Sequence, residues 1–168
     1  MEKESENLIR DRKYELTDEA MEMDGHTLHR IRALRDIQNI VSSGDVGGWI
    51  ESEDNLSQIG DCWVYGNAVV SGNARVFDDA RVFGNAFVTD NAHVYGNAEI
   101  FGDARVSDNA KVYGNAKVSE SIRVSDDAQF SGDIGISGNA KVSGDMDTIE
   151  LFCGMGDNVM KLKFDKKD

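Results

Sequence analysis

From Val64 onward an apolar residue recurs at every sixth position. The series runs through Val64, Val70, Val76, Val82, Val88, Val94, Ile100, Val106, Val112, Val118, Val124, Phe130, Ile136 and Val142 without a break. Four residues after each of these stands a second apolar position. It is Ala from Ala68 to Ala116, and then Ile122, Ala128, Ile134, Ala140 and Met146. Between them lies a polar pair such as Gly66-Asn67, Asp78-Asp79 or Asp108-Asn109. This pattern predicts very short strands in which the Val points inward and its neighbours point out. Gly, Asn and Asp tolerate the left-handed backbone that a sharp corner needs. The Ala beyond each corner is small enough to fit inside it. A six-residue side with one corner closes most simply as a triangle, giving roughly 18 residues per coil and parallel strands stacked about 4.8 Å apart.

These repeats, with their Val, Gly-Asn and Ala positions, resemble the hexapeptide-repeat family. The resemblance is strong over residues 64–147 and weaker over 46–63, where Val46, Ile50, Leu56 and Cys62 fall at the inward places. It implies an all-β fold, a left-handed parallel β-helix. General crossover rules favour the opposite hand, so the hand rests on the family. A right-handed pentapeptide-repeat helix requires a five-residue period, which these spacings do not have.

The expected organisation is a flexible N-terminus over 1–12, a β-hairpin cap over 13–45, the β-helix over 46–147, and a β-hairpin cap or oligomerisation element over 148–168. Lys13–Leu16 and Thr27–Leu34 read as strands, with Asp24-Gly25 as the turn between them. Trp49 and Trp63 are expected to seal the first end of the helix, because open ends of a solenoid need covering. After Met146, residues 148–153 and 159–164 read as two further strands.

Taking every eighteenth residue gives columns along each face. The outward residue after each inward Val reads Tyr65, Phe83, Phe101, Ser119, Ser137 on one face and Phe77, Tyr95, Tyr113, Ser131 on another. The remaining face reads Ser71, Thr89, Ser107, Ser125, Ser143. The six aromatics Tyr65, Phe77, Phe83, Tyr95, Phe101 and Tyr113 are therefore candidate protein-interface residues. Stacking between coils is the plainer explanation for them. The hydroxyl column is flanked by Val69, Phe87, Arg105, Arg123 and Lys141, which break any flat ice-binding array. Ile122, Phe130, Ile134 and Met146 enlarge the core after residue 118. Asp90, Asp108 and Asp126 form an acidic corner column. Stacked Asp could hold a cation, but ordinary turn chemistry explains it, and no metal site is expected.

Composition narrows the function. The 168 residues include 17 Gly and no Pro, which fits frequent tight corners rather than linkers. Net charge is −13, with −8 carried by residues 1–63, where 15 acids face 7 bases. Direct binding to nucleic acid or an acidic membrane is therefore disfavoured. Cys62 and Cys153 have no metal-type spacing and read as free thiols of a reducing compartment. No apolar stretch marks a signal peptide or membrane span, so a cytoplasmic location is expected.

Many hexapeptide-repeat proteins are acyltransferases that use coenzyme A or acyl-carrier substrates. That resemblance implies a catalytic His on a wall, an inserted loop and a groove between subunits. His93 is an outward wall residue beside Tyr95 and is the one position that matches. No loop interrupts residues 64–146, and the sequence gives His93 no partner. No phosphate loop, zinc spacing or nucleophile elbow is present, and no cofactor is expected. The stretches Lys13–Glu19 and Gly47–Ser57, with the Gly-Asn-Ala repeats, resemble short proteins encoded by phages and prophages that are often labelled transferases. The leading expectation is a non-catalytic, acidic assembly or protein-binding rod of phage type, such as an inhibitor of a bacterial defence or host protein. It would bind a protein partner and self-associate as a dimer or trimer. The alternatives are an acyltransferase with His93 as base, and a nucleic-acid mimic.

Overall fold

The computed structural model describes residues 12–132, 135–138, 140–143, 149–153 and 159–162; of residues 140, 149–153 and 159–162 only the backbone is described. The flexible N-terminus expected over 1–12 lies outside these residues except for Arg12, as do Ile134, Met146 and residues 163–164.

Two-residue strands repeat every six residues, from β4 (Trp63–Val64) and β5 (Val69–Val70) through β16 (Gly135–Ile136). Each pairs in parallel with the strand three places on, so that Ile100 lies between Val82 and Val118. The result is a left-handed parallel β-helix with three flat walls. Inward Val64, Val70, Val82, Val88, Val94, Ile100, Val106, Val112, Val118 and Val124 are fully buried, as are Ala68 through Ala116 at the corners. Each buried Val is worth roughly 1.5–3 kcal/mol over leaving it in water. Ile122 and Phe130 are buried where the core widens.

The corner geometry is uniform. The first residue of each polar pair has positive φ, including Gly66, Asp78, Gly84, Asp90, Asp108, Glu120 and Asp126. Amides then reach carbonyls one coil away, as in Asn85 N–H to Gly102 O at 2.8 Å and Asn91 N–H to Asp108 O at 2.9 Å. Glu120 is a poor fit, because its side chain gains nothing from a φ of 58°.

One wall is longer than the others. β1 (Tyr14–Met23) and β2 (His26–Ala33) form an antiparallel hairpin around Asp24 and Gly25, both with positive φ. β2 pairs with β3 (Val46–Ile50), and β3 pairs in parallel with β5. At the far end β17 (Ala140–Ser143), β18 (Ile149–Cys153) and β19 (Val159–Leu162) are antiparallel neighbours on the same wall. Among the described residues this wall has ten strands, against five and four on the other two. β3 lies close on the following residues of the helix at Gly48, where a Cβ would come within 2.6 Å of Ala68 O and a Val64 methyl.

Two inward or sealing positions differ from expectation. Val46 is 57% exposed, because the antiparallel pairing with β2 fixes its register before the helix begins. Ile50, Leu56 and Cys62 are fully buried. Trp49 does not seal the end. It packs with Leu28 and Val69 in a small outer cluster beneath the hairpin, and Arg30 lies 4.4 Å over its ring. The first end is closed instead by Lys13, Tyr14 and Gln58. Tyr14 meets Trp63 edge-on and donates its hydroxyl to Leu56 O at 2.6 Å. Lys13 is fully buried, and its Nζ donates to Cys62 O at 2.9 Å and lies 3.0 Å from Cys62 Sγ. Burial lowers the pKa of Lys13 and raises that of the Cys62 thiol. Asn55, also buried, accepts from Ser52 N–H and donates to Gly72 O and Ala74 O, tying the irregular first coil to the next.

Two outcomes follow. Replacing Glu120 with Gly should stabilise the chain by about 1 kcal/mol in denaturant melts, because the left-handed backbone then carries no Cβ. The hairpin tip should also respond to pH. His26 Nδ1 lies 2.9 Å from Glu51 Oε2, and the same carboxylate accepts Gly72 N–H at 2.7 Å. The contact with Glu51 raises the His26 pKa above 6.5, and the bonds from His26 and Gly72 lower the Glu51 pKa below 4.5. The His26 contribution is complete below its ordinary pKa and lost as pH rises through the raised one. The Glu51 contribution is complete above its ordinary pKa and lost as pH falls through the lowered one. Amide protection factors at the hairpin should therefore be highest between about pH 5 and 6, and His26→Ala should remove the loss of protection on the alkaline side.

Candidate functional site

The four-stranded wall is built from β6 (Arg75–Val76), β9 (His93–Val94), β12 (Lys111–Val112) and β15 (Gln129–Phe130). Its second residues fill the core, so its first residues face out, placing Arg75, His93 and Lys111 in register. The residues just past these strands form the ladder Phe77, Tyr95 and Tyr113. Phe77 stacks on Tyr95 with centroids 4.8 Å apart, and Tyr95 on Tyr113 at 4.9 Å. These distances are the coil spacing itself, so in-register stacking is built into the fold. All three rings are half-buried.

His93 packs edge-on against Phe77 at 6.2 Å. Partial burial lowers its pKa, and the cations Lys111 and Arg75 lower it further. The imidazole is thus held neutral near pH 7, as a general base needs. No carboxylate contacts it among the described residues. At the start of this wall Arg75 and Phe77 join Leu56, Gln58 and the 82%-exposed Ile59 around a groove of about 550 Å³. His93 stands one coil beyond that lining, joined to it through Phe77.

The second ladder lies on the five-stranded wall. Phe83 stacks on Phe101 at 4.8 Å, while Tyr65 meets Phe83 edge-on at 6.3 Å. The sequence therefore places its six aromatics in two separate stripes, each half-buried. The serine column is less outward than expected. Ser71, Ser125 and Ser143 are buried, because a small side chain at a strand end sits below its longer neighbours.

Asp90, Asp108 and Asp126 all have positive φ. Asp126 N–H donates to Asp108 Oδ2 at 3.1 Å, and Asp108 N–H lies 3.4 Å from Asp90 Oδ2. The Asp90 and Asp108 carboxylates thus face the corner amides of the next coil. No cluster of three or more His, Cys, Asp or Glu suited to a metal occurs among the described residues.

Sequence reasoning missed two features. The corner amides form ladders, such as Asn73 to Asn91 to Asn109 to Asp127, at 3.0, 3.2 and 3.0 Å. Their signal is the second member of the polar pair, read every eighteenth residue. The second feature is the column Phe87, Arg105, Arg123, Lys141 on the ten-stranded wall, in register coil by coil. Arg105 lies 5.0 Å over the Phe87 ring. Those residues read only as interruptions of a hydroxyl array until taken as a column of their own.

The family described as the YdcK β-solenoid repeat matches residues 80–96. That match spans about one of the stacked eighteen-residue coils. The chain is a hexapeptide-repeat β-helix. It is also 38% identical over 80 residues to the uncharacterized acetyltransferase YdcK of Escherichia coli (strain K12). That alignment covers 39% of this chain and 24% of YdcK, so the chain spans about a quarter of the relative's length. No helix among the described residues is long and apolar enough to cross a membrane.

The corner role of the acidic column is testable. Asp108→Asn should leave stability within about 0.5 kcal/mol, since Asn tolerates the same backbone and can accept the same N–H. Asp108→Ala should cost about 1–3 kcal/mol, because it adds strain and leaves the Asp126 amide without its acceptor. Thermal melts of the two variants decide it.

Proposed function

We propose that this β-helix belongs to the acyl-transferring branch of its family, with the four-stranded wall as its working surface and His93 as the base. The observation that carries this reading is a partly buried imidazole packed edge-on against Phe77 of the aromatic ladder, between Arg75 and Lys111 and one coil from the groove that begins at Phe77. The likeness to a relative named as an acetyltransferase supports it. In this role His93 takes the proton from an acceptor hydroxyl or amine as that atom attacks a thioester carbonyl. The proton then passes to the departing thiolate, so the carbon–sulfur bond breaks as the new ester or amide forms. The aromatic stripes supply surfaces through which copies of the chain associate, and a second copy would complete the walls of the groove.

A second reading is a non-catalytic assembly or protein-binding rod of phage type, including an acidic inhibitor or a nucleic-acid mimic. It is favoured by the absence of a carboxylate partner for His93 among the described residues and by the unbroken lattice around it. One experiment separates the two. Purified chain is assayed for acetyl transfer from acetyl-coenzyme A to a panel of small amines and alcohols, with its mass followed by light scattering. The transferase reading expects turnover that falls about 10²–10⁴-fold in His93→Ala. Equal rates in both proteins, or none in either, end it. Tyr95→Ser should lower the solution mass while the fold survives, and an unchanged mass removes the four-stranded wall as an interface.

A further inference from the structure

We propose that the groove between the hairpin tip and the cation column of the ten-stranded wall binds a small ligand bearing two or more linked phosphate groups. The proposal is independent of the His93 reading and concerns a different wall. The groove encloses about 740 Å³ and is lined by Met23, Phe87, Arg105, Arg123, Ser125 and Lys141, among others.

Three observations point to an anion there. Arg105, Arg123 and Lys141 stand in register on consecutive coils, and all three are exposed. Strand spacing fixes their backbone positions about 4.8 Å apart, so three like charges share one stripe of surface. Arg12, Arg30, Arg32 and Lys117 have carboxylate partners, as in Lys117 with Glu99 at 2.7 Å and Arg30 with Glu19 at 3.5 Å. Among the described residues no carboxylate pairs with Arg105, Arg123 or Lys141. Arg105 instead rests on the Phe87 ring, which fixes its guanidinium at the groove.

The groove floor gives the second line of support. Ser125 is 8% exposed, and its Oγ has no hydrogen-bond partner. A buried hydroxyl without a partner is uncommon, and rotation about χ1 would turn this one toward a ligand oxygen in the groove. Two acids, Asp24 and Asp108, line the groove against three cations, so the lining stays net positive. The Asp108 carboxylate accepts the Asp126 amide.

Geometry sets the ligand class. The column spans about 10 Å, which suits a chain of two or three phosphates, while a single phosphate reaches two cations at most. Guanidinium groups bind phosphate oxygens in pairs, which gives such a column its selectivity over a simple ion atmosphere. A long polyanion is disfavoured by the net charge of −13 and by the hairpin tip that closes one end of the groove.

The test is calorimetric titration of the full chain with inorganic triphosphate, pyrophosphate and orthophosphate at one fixed ionic strength. Triphosphate should bind saturably, and orthophosphate at least about tenfold more weakly. Arg123→Gln and Lys141→Gln should each weaken triphosphate about tenfold or more, and Ser125→Ala by a smaller factor. Lys117→Gln, on the five-stranded wall, should change nothing. The exposed side chains of Arg123 and Lys141 let both variants fold, which circular dichroism verifies. The proposal is overturned by no saturable binding at millimolar triphosphate, by equal affinity in wild type and Arg123→Gln, or by an equal loss in Lys117→Gln.

Discussion

Each corner of this chain must bend through a left-handed backbone and still deliver its amides to the coil above. A corner is tolerated only where the residue accepts positive φ, and the coil closes only if the next corner falls six residues later. Gly66, Asp78, Asp90 and their successors meet the first condition. Ala68, Ala74 and the other corner Ala residues, fully buried, meet the second by leaving room inside the bend. Once corners repeat, every side chain is repeated at the coil spacing. The same constraint therefore produces the aromatic stacks, the Asn ladders, the carboxylate column and the unpaired cation column.

That repetition has opposite consequences for different side chains. Flat rings gain from being stacked at 4.8 Å, and amides gain by donating one coil onward. Carboxylates gain when the neighbouring group is a backbone N–H, as at Asp108. Guanidinium and ammonium groups are donors without acceptor atoms, so a column of them has nothing to exchange internally. Among the described residues the lattice repeats Arg105, Arg123 and Lys141 on three consecutive coils without repeating a carboxylate partner.

Because the period is strict, the sequence made the helix body legible residue by residue: an inward Val, an outward neighbour, a left-handed corner and a small Ala. The hairpin turn at Asp24-Gly25 was legible for the same local reason. What failed to read through lies where the period stops. Val46 faces solvent because antiparallel pairing with β2, a long-range contact, sets its register. Trp49 was assigned to the end of the helix but is needed under the hairpin, since Leu28 and Val69 otherwise lose their cover. The Lys13–Tyr14–Gln58 closure combines residues more than forty positions apart, and no local pattern announces a buried lysine.

The candidate chemistry was legible in the same unequal way. His93 could be placed on a wall by counting, but its pKa is lowered first by partial burial and then by Lys111 and Arg75, one coil to either side. Only the column, not the linear neighbourhood, brings those cations to it. Burial and these cations together favour the neutral imidazole, and among the described residues no carboxylate orients it. A base of that kind is competent only if something else fixes the ring, and here the fixing contact is Phe77. The aromatic ladder therefore has a role whichever reading of this wall holds. As an interface it covers apolar surface, and as part of a site it holds the imidazole at the mouth of the groove.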